Sequence, residues 1–200
     1  MARTDRRGGP ETKGRIAQTA SRLFVERGFD DVTVTEVGRA AGVSSVTVFK
    51  YFPKKEDLFF DRADEISDLF LAAVRGHSTR ADVLAAVRAL LFDLLDRRHP
   101  LSGSDERSIG FFRTVARSPI LIARARQLAA DVQQRMMEQL EDDGFDGDAA
   151  LVTAFITAGY TRVLIETATE LLDGVPNEGV AERHRARIER LLHALDTGVL

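Results

Sequence analysis

Two hundred residues with 44% hydrophobic and 30% charged content are enough for one sizeable core or two small ones, and they exclude a largely disordered chain. The absence of cysteine removes disulfides, thiolate metal sites and thiol catalysis, and it fits a reducing cytoplasm, the expected location. The formal net charge of −3 is unevenly spread: residues 1–60 hold 11 Lys or Arg against 8 Asp or Glu, and residues 61–200 hold 17 against 23. A basic end on an acidic body is the pattern of a chain whose front meets phosphates.

Residues 1–10 are polar and glycine-containing, a flexible arm in which Arg3, Arg6 and Arg7 are solvated or reach a nucleic acid. From Glu11 to Arg27, Ile16, Ala17, Ala20, Leu23 and Phe24 recur at three- and four-residue steps, one amphipathic helix face stopped by Gly28. Phe29 and Val32 are expected to pack the next two helices onto that face. Thr33 stands three residues before Glu36, the spacing of a capping box, in which each side chain satisfies a free amide at a helix start. Val34, Val37, Ala40 and Ala41 continue as an apolar stripe. Gly42 comes where the helix must stop, because glycine takes left-handed backbone angles without strain. Ser44 or Ser45 is placed to cap a second short helix running through Tyr51, with Pro53 as its stop, and Val46, Val48 and Phe52 are its expected core residues. Two short helices joined by a glycine turn form a helix-turn-helix, whose second helix enters the major groove of DNA.

A long helix is expected from Lys55, with Leu58, Phe59, Ile66, Leu69, Phe70 and Val74 inward, until Gly76 and Ser78 break it. Further helical periods cover about 80–98, a short segment through Ile109 and Val115, 119–142, 147–173 and 179–197. No strand alternation, internal repeat or low-complexity tract appears. No apolar run approaches the roughly 20 residues a bilayer span needs, and the N-terminus lacks a signal sequence's apolar stretch. The expected fold is all-α, with about nine helices. A three-helix DNA-binding domain over 11–54 precedes a six-helix body over 55–200.

The stretch from Gly28 to Leu58 resembles the DNA-binding domain of TetR-type transcriptional repressors. The matching features are GlyPhe at 28, ThrValThrGluValGlyArgAlaAlaGlyValSer from 33, ValThrValPheLysTyrPhe from 46 and LysLysGluAspLeu from 54. The match covers about the first third of the chain, and Phe49 stands where many relatives carry tyrosine. The body agrees only in being helical and of suitable length. The resemblance implies a homodimer that sets two recognition helices in successive major grooves, roughly 34 Å apart, on a near-palindromic double-stranded operator. It also implies a small-molecule effector and a dimer interface made by the last two long helices.

Candidate DNA contacts are Ser44, Ser45, Thr47, Lys50 and Tyr51 on the second helix. Lys54 and Lys55 are the phosphate-binding pair after it, and Thr33 combines a cap with a contact. Phe70, Phe92, Phe111, Phe112, Met136, Phe155 and Tyr160 are candidate walls of an effector pocket, with Arg113, Arg162 and Glu166 as polar anchors. For the dimer face, Ala154, Ala158, Leu164 and Ile165 are expected from one helix and Ile188, Leu191, Leu192 and Leu195 from the next. The small residues there permit close packing, and an internal core helix would share the same pattern.

Signals of catalysis are missing. His77, His99, His184 and His193 lie apart in sequence, and neither a nucleophile elbow nor a phosphate-binding glycine loop is present. The expectation is no enzyme, no cofactor and no metal. The rival readings are a DNA-binding regulator without an inducer and a helical enzyme or carrier.

Overall fold

The helical periods become ten α-helices in the computed structural model, which describes residues 9–176 and 179–198. They are α1 Gly9–Arg27, α2 Val34–Ala40, α3 Ser45–Tyr51, α4 Lys55–Phe59 and α5 Ala63–Val74, followed by α6 Arg80–Asp96, α7 Ile109–Arg117, α8 Pro119–Asp142, α9 Ala149–Leu172 and α10 Val180–Thr197. Two single 3-10 turns, Pro100–Ser102 and Glu106–Ser108, lie between α6 and α7, and there is no strand among the described residues. Arg3, Arg6 and Arg7 lie outside the described residues.

The chain forms two compact units. The first comprises the front of the chain through Ala63, together with Thr114–Ile122; the second comprises Asp64–Arg113 and Ala123 onward. The sequence expectation puts the domain boundary at 54/55, whereas the compact units divide at 63/64. The single long helix expected from Lys55 is also broken, into α4 and α5. At Phe60 the backbone leaves the helix at φ −97° and ψ 43°, and the Ala63 amide donates to the Phe60 carbonyl at 3.0 Å. The break has a packing cause. Leu58 and Phe59 belong to the core of the first unit, whereas Phe70 and Val74 belong to the core of the second. The apolar period runs through both in register, so nothing local marks the change of core.

In the first unit, Ile16, Ala20, Leu23 and Phe24 of α1 face Phe29, Val32, Val37, Val48, Phe52, Leu58 and Phe59, with Leu121 of α8 completing the cluster. Phe24, Phe29 and Phe59 form a tilted and edge-on set with ring centroids 5.0 to 6.2 Å apart, within the range where aromatic pairs gain beyond their area.

In the second unit, α10 packs against α9 and α6. Gly159 is why α9 and α10 approach so closely: a Cβ there would meet Leu191 Cδ1 at 2.2 Å. Ion pairs fasten the same helices, Arg88 to Glu189 and Arg185 to Asp96 between α6 and α10, and Arg187 and Arg183 to Glu170 between α10 and α9. The Glu170 carboxyl is held below its ordinary pKa, chiefly by its hydrogen bond from Arg187. The threonines of α9 complete their own hydrogen bonding: Thr153, Thr157, Thr161, Thr167 and Thr169 each donate to a carbonyl four residues back.

By length and composition alone α9 is apolar enough to cross a bilayer, with a mean hydropathy of 1.3 over its best window. A core helix passes the same test, and Ile156, Tyr160, Val163 and Leu171 of α9 are buried, with Val152, Phe155 and Leu164 packed against the same core.

Candidate nucleic-acid interface

The geometry of the helix-turn-helix starts at its cap. The Thr33 hydroxyl accepts from the Glu36 amide at 3.2 Å while Glu36 Oε2 accepts from the Thr33 amide at 2.8 Å, so the capping box is complete. Arg27 donates to the other carboxylate oxygen of Glu36 at 2.8 Å. Together the Thr33 amide, Arg27 and the Thr33 hydroxyl lower the Glu36 pKa from 4.5 to about 2. At the far end of α2, Arg15 of α1 donates to the Ala41 carbonyl at 3.1 Å, fixing α2 against α1.

The turn is set by two glycines. Gly42 takes φ 69°, the left-handed angle that lets α2 stop at once. Gly38 is needed for space rather than for its angles. The Val43 amide donates back to its carbonyl at 2.9 Å, and a Cβ on Gly38 would lie 3.0 Å from the Val43 carbonyl oxygen and 3.3 Å from the Ser45 nitrogen. Ser44 then caps α3: its hydroxyl accepts from the Thr47 amide at 3.1 Å and lies 2.9 Å from the Thr47 hydroxyl.

On α3 only Val48 is buried, which fixes the outward face by elimination. At 100° per residue, Val46 and Lys50 stand nearly opposite Val48, and Phe49 flanks them. Val46 is 78% exposed and Phe49 49% exposed. Val46 therefore leaves the core in which its hydrophobicity places it, because the head core takes Val48 and Phe52 and has no face left for it. Lys50 and Lys54 are exposed, Ser44 is exposed but engaged as the cap, and Ser45 and Thr47 are half-buried. Tyr51 is half-buried and packs against the head core.

Lys55 makes an internal contact. Its Nζ donates to the Phe29 carbonyl at 2.5 Å and lies 4.2 Å from the centre of the Phe29 ring, and burial lowers its pKa. The sequence pattern aims this ammonium at a phosphate; the structure turns it back onto the loop between α1 and α2. The partner is 26 residues away, beyond any local pattern.

The body residues divide into several groups. Phe70, Met136 and Tyr160 share the core of the second unit, with the Phe70 and Tyr160 rings 6.2 Å apart and Phe155 packed against the same cluster. Phe111 and Phe112 pair with each other at 5.6 Å, and Phe112 and Leu164 close over Gly103. Phe92 also packs against the core of the second unit, with the guanidinium groups of Arg88 and Arg185 at 4.6 and 4.4 Å from its ring. Arg113 is exposed, and Arg162 pairs with Glu166 at 2.9 Å on the surface of α9. An open groove of about 280 Å³ lies among Arg80, Leu84, Phe145, Asp148, Leu151, Val152 and Leu195, and none of the candidate pocket residues lines it.

Among the candidate dimer residues, Ile188, Leu192 and Leu195 are buried in the chain's own core, and Leu191 meets Gly159. Ala154 and Leu164 are half-buried, whereas Ala158 and Ile165 are exposed, Ile165 by 51%. Among the described residues no cluster of His, Asp and Glu has the makings of a metal site.

A capped two-helix reader with a basic, outward-facing second helix defines a helix-turn-helix protein, and known proteins of that kind match the chain. The family described as bacterial regulatory proteins, tetR family, matches residues 16–61. The chain is 27% identical over 158 residues to the HTH-type transcriptional regulator TcmR of Streptomyces glaucescens, which covers 76% of this chain and 69% of that one. A TetR-family regulator from Streptomyces coelicolor shares the fold at a TM-score of 0.60 and 19% identity, over 96% of this chain and 99% of the other. FadR of Thermus thermophilus, a TetR-family repressor solved with lauroyl-CoA, matches at a TM-score of 0.52 and 20% identity, over 94% and 95% of the two chains. Residues 16–61 are thus a DNA-binding domain of the tetR family of bacterial regulatory proteins, and the longer chain shares the fold of TetR-family regulators.

Proposed function

We propose that the chain is a homodimeric repressor that leaves a near-palindromic operator when a small, apolar ligand binds its body. The observation that carries the DNA-binding half is the outward face of α3, where exposed Lys50 accompanies a buried Val48, with Lys54 just beyond. Lys50 donates to guanine O6 and N7, Lys54 and Tyr51 hold phosphates, and Thr47 adds a polar contact to the groove or backbone. Thr33, Ser44 and Ser45 act mainly by holding the two helices in register. Lys55 is reassigned from phosphate clamp to internal staple because its ammonium is already engaged.

The dimer reading rests on α9. Its outward side carries exposed Leu151, Ala158 and Ile165 at helical spacing. Ile188, Leu192 and Leu195 support that face from beneath instead of forming it. The effector reading rests on the aromatic core around Phe70, Met136 and Tyr160 and on the lauroyl-CoA held by the Thermus thermophilus relative of the same fold. A ligand releases DNA only if it binds the released form more tightly than the bound one.

The test is selection of DNA from a random pool by the purified protein. An inverted repeat whose half-sites lie about one helical turn apart is the expected product. Enrichment of no sequence at low salt, with and without cell extract, sinks the proposal. For the effector, a compound that raises the melting temperature yet leaves operator affinity unchanged removes the inducer half of the reading.

A further inference from the structure

The α3 helix puts its most exposed apolar side chain at the centre of its outward face. Val46 is 78% exposed, Phe49 is 49% exposed, and the two stand one turn apart on a helix of seven residues. Scattered single apolar side chains on a surface need no explanation, but Val46 opposite the buried Val48, with Phe49 beside it one turn on, forms a patch. The surroundings of that patch are polar and basic. Lys50 lies on the same face, Lys54 comes just after the helix, and Ser44 and Thr47 contribute hydroxyls. An apolar spot beside cationic and hydroxyl groups fits a surface that is negative overall and apolar in one place. In the major groove that description belongs to a thymine, whose C5-methyl is the apolar group exposed among base-edge donors and acceptors.

We infer that Val46 and Phe49 read thymine methyl groups in each operator half-site, Val46 in direct contact and Phe49 covering the methyl or its neighbour from the side. Lys50, about 40° around the helix from Val46, then addresses the base pair beside it. The inference rests on the DNA-binding reading above. It extends that reading by naming the base chemistry of the half-site: a thymine flanked by a guanine.

The experiment separates the two levels. The duplex selected from the random pool is resynthesised with each thymine in turn replaced by deoxyuridine, which removes one methyl group and leaves every hydrogen bond in place. Binding is measured with the full-length wild type and with Val46→Ala and Phe49→Ala. Both side chains are exposed, so the variants are expected to keep the wild-type circular dichroism spectrum and melting temperature. At one thymine per half-site the substitution is expected to weaken wild-type binding about fourfold, the value of one buried methyl, and to weaken Val46→Ala binding no further. Specific binding with no deoxyuridine effect, or with the same loss in wild type and both variants, overturns the methyl-reading inference and leaves the regulator reading intact. Absence of any selected sequence overturns both.

Discussion

Lys55→Ala separates two roles that the same lysine could fill. In the structure the ammonium donates to the Phe29 carbonyl at 2.5 Å and covers the Phe29 ring at 4.2 Å, and Phe29 is only 4% exposed. Alanine leaves that carbonyl without its donor, at a cost of about 1–3 kcal/mol, and removes a cation–π contact worth about 0.5–2 kcal/mol. Relief of the ammonium's own desolvation, already visible in its lowered pKa, offsets part of this. The net expectation is a loss of about 1–3 kcal/mol, read as a lower urea midpoint at unchanged m. Where the variant is still fully folded, the slope of log K against log salt should match the wild type. Lys54→Ala should do the reverse, keeping the midpoint and lowering the slope by about 0.9 for one lost phosphate contact. If Lys55→Ala changes stability by less than about 0.5 kcal/mol and loses one ion of salt dependence, the internal-staple assignment is refuted.

Other substitutions test the surrounding geometry. The Glu36 pKa is lowered from 4.5 to about 2, so its contribution is complete above pH 4.5 and is lost as the pH falls toward 2; Glu36→Gln should flatten acid unfolding in that window, followed by circular dichroism. His184 is fully buried, its Nδ1 is 2.8 Å from the Thr167 hydroxyl, and desolvation followed by Arg187 lowers its pKa from 6.5 to about 4. The Thr167 hydroxyl already donates to the Val163 carbonyl, so Nδ1 is the donor, and burial favours the neutral ring. Stability linked to it is complete above pH 6.5 and falls as the pH drops toward 4, and a wild-type urea midpoint that does not decline there contradicts this burial. Gly38→Ala should cost about 1–3 kcal/mol, because its Cβ meets backbone atoms of the turn; a variant as stable as wild type shows that the turn can open. Ile165→Glu should convert a sedimenting dimer into a monomer with an unchanged helical spectrum, and a persistent dimer moves the interface off α9.

The legible parts of this chain are those whose physics acts over three or four residues. The Thr33–Glu36 box, the Gly42 stop and the Ser44 cap are complete within one helical turn, and each stands where its spacing put it. The features left open in the sequence depend on partners far along the chain. Lys55 looks like a phosphate ligand until Phe29, 26 residues earlier, presents a carbonyl to it. The α4–α5 break is silent because Leu58 and Phe70 keep one helical period while serving two cores. Apolar stripes also do not say whose core they enter: Ile188, Leu192 and Leu195 are claimed by the chain's own interior, leaving Ala158 and Ile165 outward. Val46 obeys the same logic in the opposite direction. A valine on a short helix reads as core on hydrophobicity alone, but the phase of α3 is set by Val48, and a helix of seven residues has one inward face. Once Val48 takes that face, Val46 must point out. The residue that hydrophobicity assigns to the core is the one that the phase of the helix leaves on the surface.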